Sequence, residues 1–198
     1  MRLEVGDQQR VECRVANHGA QPAKILLEAR DEPPPVLLVV DLQALEGVEP
    51  LAEEKGVRTR LNLEPSLPPL VTNELLLRRS VDNLLSNAVK YTRPGDAIEL
   101  AAAREGTGIA IAVADTGIGL TREERDRLFE RFFRGRRSET RVQRGTGLGL
   151  AIVREVVRKL DGEVRVESEL GKGSTFTLWL PLRETEGPSE PAPSPPSE

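Results

Sequence analysis

Two amides and a lysine stand at helical spacing in the segment DNLLSNAVKYT, Asp82 to Thr92. Asn83, Asn87 and Lys90 are separated by four and three residues, so on a helix they share one face. Such a face, backed by Leu and Val, can place a neutral oxygen on Mg²⁺ and a cation on phosphate. It reads equally well as a solvated polar face. Three glycine-rich segments follow: DTGIG (Asp115 to Gly119), GTGLGL (Gly145 to Leu150) and GKGST (Gly171 to Thr175). Glycine at this density lets backbone approach a ligand and turns N–H groups toward phosphate. The second segment runs directly into a helical pattern, whose N-terminus favours an anion. Each segment taken alone reads as a tight turn.

The familiar phosphate loops fail on spacing. The Walker pattern of Gly, four residues and Gly-Lys-Ser/Thr is absent, and the sixth position counted from Gly145 is Leu150 where a dinucleotide fingerprint needs glycine. Composition removes other chemistry. Of 198 residues one is histidine, His18, and one is cysteine, Cys13. A zinc site built on several histidines is therefore impossible, and a nucleophile–histidine arrangement must use His18 or nothing. A single cysteine forms no intrachain disulfide and fits a reducing, cytoplasmic setting. The net charge of −4 argues against a general nucleic-acid or membrane-surface binder. Apolar runs such as Val36 to Val40 are far short of the ~18 residues of a membrane helix.

The elements that must position these residues follow from periodicity. Residues 1–35 read as a short strand-like leader, with Val11, Cys13 and Val15 alternating before a turn and Ile25, Leu27 and Ala29 after it. Residues 36–182 read as one domain. Val36 to Lys55 is an amphipathic helix stopped at Gly56. Val57 to Leu63 alternates as a strand. Asn73 to Tyr91 carries apolar residues at helical spacing. Ala97 to Ala103 and Ile109 to Ala114 read as two strands joined by a turn. Thr121 and Glu124 form a capping box for a short helix. Leu148 to Leu160 is a helix, and Glu163 to Ser168 with Thr175 to Leu180 make a closing hairpin. This order predicts an α+β fold, a two-layer α/β sandwich with a mixed, mostly antiparallel sheet packed on helices. Residues 183–198, rich in Pro, Ser and Glu, read as a disordered tail.

In that order and spacing the blocks resemble the ATP-binding domain of histidine kinases, in the superfamily of gyrase, chaperone and MutL ATPases. Asn83 to Tyr91 looks like the N box, Asp115 to Gly119 like the G1 box, Leu128 to Arg134 like the F box, and Gly145 to Leu150 like the G2 box, with Gly171 to Phe176 as the last glycine turn. The resemblance spans roughly Val36 to Leu182 and implies the Bergerat ATP-binding fold, with ATP and Mg²⁺ as ligands. It implies that Asn87 coordinates Mg²⁺, that Asp115 accepts from the adenine amino group, and that Lys90 meets phosphate with Tyr91 packed near the base or ribose. Gly117 and Gly119 would let the chain pass the base. Gly145, Thr146, Gly147, Leu148, Gly149 and Leu150 would carry phosphate, and Thr175 would support the adenine end. Asn83, Lys90 and Arg134 form the expected catalytic set, with Arg134 on the γ-phosphate. The segment between Gly119 and Gly145 would be the ATP lid, holding three of the four phenylalanines and a set of arginines that includes Arg131, Arg134, Arg136, Arg137, Arg141 and Arg144.

The resemblance also sorts the reaction. Hydrolases and serine kinases of the superfamily commonly hold a glutamate four residues before the magnesium asparagine, as general base. Here Asn83 stands there, and an amide cannot take that proton. This favours a histidine kinase of a two-component phosphorelay. His18 sits in a turn-like context, so the acceptor histidine is expected on a dimerisation domain outside this chain, with a response regulator as the further partner. The alternatives are a nucleotide-responsive binding module without catalysis and an anti-sigma-type serine kinase.

Overall fold

A computed structural model describes residues 12–14, 24–26, 36–135 and 146–182. The elements are β1 (Glu12–Arg14), β2 (Lys24–Leu26), α1 (Val36–Glu54), β3 (Arg58–Leu63), α2 (Glu74–Tyr91), β4 (Ala97–Glu105), β5 (Gly108–Asp115), α3 (Arg122–Arg127), α4 (Gly149–Lys159), β6 (Glu163–Glu169) and β7 (Gly173–Pro181). β1 and β2 pair antiparallel, with Cys13 opposite Ile25. Val11, Val15, Leu27 and Ala29 of the expected alternation lie outside the described residues. The expected tail at 183–198 lies outside the described residues.

The remaining strands form one sheet in the order β3-β4-β5-β7-β6. Only β3 and β4 run parallel; the other three pairings are antiparallel. α1, α2 and α4 lie against this sheet, with α2 packed on both α1 and α4. The expected two-layer α+β sandwich is therefore present.

Strand parity decides what the sheet offers to each side. On β5 and β7 the residues Ile109, Ile111, Val113, Phe176, Leu178 and Leu180 are buried under the helices. Ala110, Ala112 and Ala114 alternate with them on the opposite face. α2 supplies the complementary stripe: Leu77, Val81, Leu84, Leu85 and Ala88 recur at helical spacing and are all buried. Its start is fixed by Asn73, whose Oδ1 accepts the Leu76 N–H at 3.0 Å.

The end of α2 is held from another element. Lys55 follows α1 and its Nζ donates to the carbonyls of Val89 (2.6 Å) and Lys90 (3.1 Å). A cation at a helix C-terminus satisfies orphan carbonyls and complements the helix dipole. Burial lowers the Lys55 pKa and the nearby Asp96 opposes the shift. The backbone closes the same junction, with Gly95 N–H donating to Gly56 O at 2.8 Å and Arg58 N–H to Asp96 O at 3.0 Å. The helix that carries the amides and Lys90 is thus pinned at both ends and along its buried stripe.

Leu85 is wholly buried in that stripe. Leu85→Ala is expected to lower unfolding stability by about 2–5 kcal/mol, since the lost methylenes leave a cavity the sheet cannot close. Urea denaturation followed by circular dichroism measures this.

Candidate functional site

A cleft of about 270 Å³ opens between α2, the turn after β5, the segment after α3 and the start of α4. Along α2 it is lined by Asn83, Asn87 and Lys90, which the sequence places on one face, and by Tyr91. Asn83 Nδ2 donates to Arg79 O at 2.8 Å, one turn back in the helix. That bond orients the amide, and its Oδ1 lies where a side chain on Gly149 would touch it at 2.9 Å. An amide oxygen of α2 thus faces the first residue of α4. Among the described residues no side chain caps α4, so the N–H groups of its first turn are open to whatever occupies the cleft. Lys90 Nζ rests over the Tyr91 ring, 4.9 Å from its centroid, which holds the cation at the rim.

Asp115 ends β5 at the opposite side of the cleft. Its Oδ1 accepts the Gly117 N–H at 2.9 Å. Burial pushes its carboxyl up to about 6, against the backbone hydrogen bonds from Gly117 and Ser174 that favour the charged form. Gly117 itself lies behind the lining, pressed on Tyr91 O so closely that a Cβ has no room. Ile118 N–H donates to the same carbonyl at 3.2 Å. The turn is in this way fastened to the last residue of α2. Gly119 lines the cleft beside Ile118 and Leu120.

The F-box segment forms one wall. The Thr121–Glu124 capping box is present in both directions, with Glu124 Oε2 accepting the Thr121 N–H at 3.0 Å. Leu128 is buried, Phe129 packs on the core beneath Arg154, and Phe133 reaches the cleft with Arg134. Phe132 is 71% exposed with φ +63°, a conformation a bulky residue adopts only under constraint. The constraint is local: Phe132 N–H donates to Gly147 O at 3.0 Å. Gly147 has φ +73°, and a Cβ there would meet the Phe132 carbonyl carbon at 2.8 Å. The described front of the expected lid is a hydrogen-bonded wall rather than a loose loop. Arg136, Arg137, Arg141, Arg144 and Gly145 lie outside the described residues.

Of the phosphate-loop candidates, Thr146, Gly147, Gly149 and Leu150 line the cleft. Leu148 does not; it is the residue before α4, and its N–H is engaged by Thr146 Oγ1 at 3.4 Å. Thr175 requires a correction. It pairs with Glu167 and shares the outward parity of Thr177 and Trp179, so its side chain lies on the face away from the helices. Ser174, the preceding residue, is buried and lines the cleft with Phe176. The period of two in TFTLWL carried that signal, because Phe176, Leu178 and Leu180 must face the core and Ser174 shares their parity. Ile118, Leu120, Leu128 and Phe133 are further apolar lining residues not singled out in the sequence.

A profile for histidine kinase-, DNA gyrase B- and HSP90-like ATPases matches residues 72–184. The chain belongs to this family. Among its relatives is the sensor-like histidine kinase SenX3 of Mycobacterium tuberculosis, 37% identical over 180 residues, covering 80% of this chain and 44% of SenX3. A full-length ShkA structure in complex with AMPPNP is similar at a TM-score of 0.66 and 33% identity, covering 77% of this chain and 31% of that one. The mycobacterial sensor histidine kinase MprB is similar at a TM-score of 0.62 and 29% identity, covering 75% and 97%. The chain thus carries an ATP-binding catalytic domain of the sensor histidine kinase type. It spans less than half the length of SenX3.

The raised carboxyl of Asp115 gives this histidine-kinase-type site a pH signature. The ionised form accepts hydrogen bonds at both oxygens, and protonation near pH 6 removes an acceptor. ADP affinity is expected to fall roughly tenfold between about pH 7.5 and pH 5, with the midpoint near the Asp115 value. Asp115→Asn, which leaves the titration of the nucleotide unchanged, should lack this part of the fall. Calorimetric titration of both proteins across that range checks it.

Proposed function

We propose that this domain binds Mg²⁺-ATP and transfers the γ-phosphoryl group to a histidine presented by a dimerisation segment outside the described residues. The relay would continue to a response regulator. The observation that carries the reading is the distribution of charge in the cleft. The Asn83 amide faces the start of α4, Asn87 and Lys90 line the cleft on the same helix, and Asp115 stands at the end of β5. Among the described lining residues the carboxylates are Asp115 and Glu124. Each is tied to backbone N–H groups of its own turn. Neither is placed to take a proton at the phosphate end. A nucleophile that needs no such base, a neutral imidazole, suits this arrangement. That is the argument against a serine kinase or a hydrolase.

The residues fit the magnesium ion that ATP chemistry implies. Mg²⁺ keeps waters and phosphate oxygens and takes few protein ligands. Asn87, with Asn83 beside it, offers neutral amide oxygens. Among the described residues no cluster of His, Cys, Asp or Glu is built to hold a metal. When bound, the ion would neutralise charge on the β- and γ-phosphates. The chain's own work is separate from this. Asp115 would accept from the adenine amino group, and Tyr91 would pack beside the base or ribose. Lys90 would leave the Tyr91 face to meet phosphate as a point charge. Gly147, Gly149 and Leu150 would hold the polyphosphate at the α4 N-terminus. Arg134 would cover the transferring group from the wall, completing the catalytic set with Asn83 and Lys90. In place of Thr175, Ser174 would stand at the adenine end.

The single cysteine and the use of ATP favour a cytoplasmic setting. Among the described residues no helix is long and apolar enough to cross a membrane.

With γ-labelled ATP and a separately supplied dimerisation segment carrying a phosphoacceptor histidine, acid-labile label is expected on that segment. None is expected on this chain alone. Asn87→Ala should lower the transfer rate on the order of 100-fold. Acid-stable label on serine, or ADP release without transfer, would overturn the reading.

A further inference from the structure

Ser168 is the last inward-facing residue of β6. The cross-strand pairs before it are apolar, Val164 with Leu178 and Val166 with Phe176. The next inward pair is Ser168 with Ser174, where the sheet reaches the cleft. Ser168 Oγ accepts the Leu120 N–H at 2.9 Å. It donates to Gly173 O at 2.8 Å. It also lies 3.0 Å from Ser174 Oγ.

A hydroxyl has one proton and two lone pairs. With its proton on Gly173 O and one lone pair on Leu120 N–H, Ser168 can meet Ser174 only as an acceptor. The proton in that bond is then the one on Ser174. Two consequences follow. Ser168 has no capacity left for a ligand, so it does not bind one. Ser174 has spent its only proton inside the protein, so it shows the cleft lone pairs alone.

Asp115 sits directly across the strand pair from Ser174 and receives a hydrogen bond from the Ser174 backbone N–H. The base end of the cleft therefore presents acceptors from both residues. Ser168 also grips the turn after Asp115 at Leu120, and Gly171 N–H adds a second tie to that turn through Ile118 O at 2.9 Å.

We propose that Ser168 is a positioning residue for base selection: its fully committed hydroxyl fixes Ser174 as an acceptor and so favours a 6-aminopurine over a 6-ketopurine. This rests on the reading of Asp115 as the adenine residue. A 6-amino group donates to such a site, whereas a 6-keto oxygen at the same place meets lone pairs and leaves them unsatisfied. Ser168→Ala frees the Ser174 hydroxyl to rotate and donate, and loosens Leu120.

The test compares ADP and GDP affinities, by calorimetry with Mg²⁺ present, in the wild type, Ser168→Ala, Ser168→Thr and Asp115→Asn. Ser168→Ala should lower the preference for ADP over GDP roughly tenfold. Ser168→Thr, which keeps the hydroxyl, should stay within about twofold of wild type. An equal loss of both affinities in Ser168→Ala would mark a merely structural role and overturn the proposal, as would an unchanged ratio or a threonine variant that behaves like alanine. A Leu120 amide in the wild type that exchanges with solvent at the rate of an open amide would overturn it without any variant. If Asp115→Asn leaves ADP affinity intact, the adenine reading falls and this proposal with it. If Asp115→Asn weakens ADP while Ser168→Ala leaves the ratio untouched, the role of Ser168 alone fails.

Discussion

A carboxylate taken largely out of water at the end of a central strand is the constraint on which the rest of this domain turns. Among the described residues no cation offsets the burial of Asp115; the backbone N–H groups of Gly117 and Ser174 hydrogen-bond to it. Those donors come from two different places in the chain, the turn just after β5 and the start of β7. Holding both within hydrogen-bond range of one side chain demands that the turn and the β6–β7 hairpin be locked to each other. The contacts at Gly117, Gly171, Ser168 and Leu120 do this. The price of that lock is steric, and glycine is the residue that meets it, since a Cβ at Gly117 would collide with Tyr91 O.

The same economy explains why the opposite end of the cleft looks so different. There the partner is not a buried charge but the open start of α4, which supplies partial positive charge without any basic side chain. α2 answers it with amide oxygens and a lysine. The two ends are joined by one helix, because the carbonyl of Tyr91, next to Lys90, is also the carbonyl that receives Ile118 N–H. A displacement of α2 would therefore be felt at both ends of the cleft.

Much of this was legible before any coordinates. The 3.6 period of Leu77 to Ala88, the alternation of β4, β5 and β7, and the Thr121–Glu124 capping box are all local patterns, and each appears as read. The blocks that gave the family resemblance lie on the cleft walls for the same reason, since glycine turns and a helix face are short-range signals. What escaped was non-local. Thr175 looked like the hydroxyl that follows the last glycine turn, and only the register with β5 and β6 shows that Ser174 has the inward parity. Ser168 carries no motif at all. Its importance comes from three partners at positions 120, 173 and 174 that meet only when the sheet is assembled. Phe132 reads in sequence as one more aromatic anchor, yet it is exposed, while Phe129 and Phe133 do the packing.

Lys55 bears on where one relative can be exchanged for another. The family profile begins at residue 72, but the carbonyls of Val89 and Lys90 are closed by an ammonium that precedes that point, and β4 draws its parallel neighbour β3 from the same upstream stretch. A hybrid spliced at the profile's edge would inherit the cleft and lose the cap on the helix that carries it, unless the donor brought its own cation to the same spot. The inherited motif and the smallest piece that keeps its shape are thus different lengths of chain, and the difference is measured by one side chain reaching back from α1.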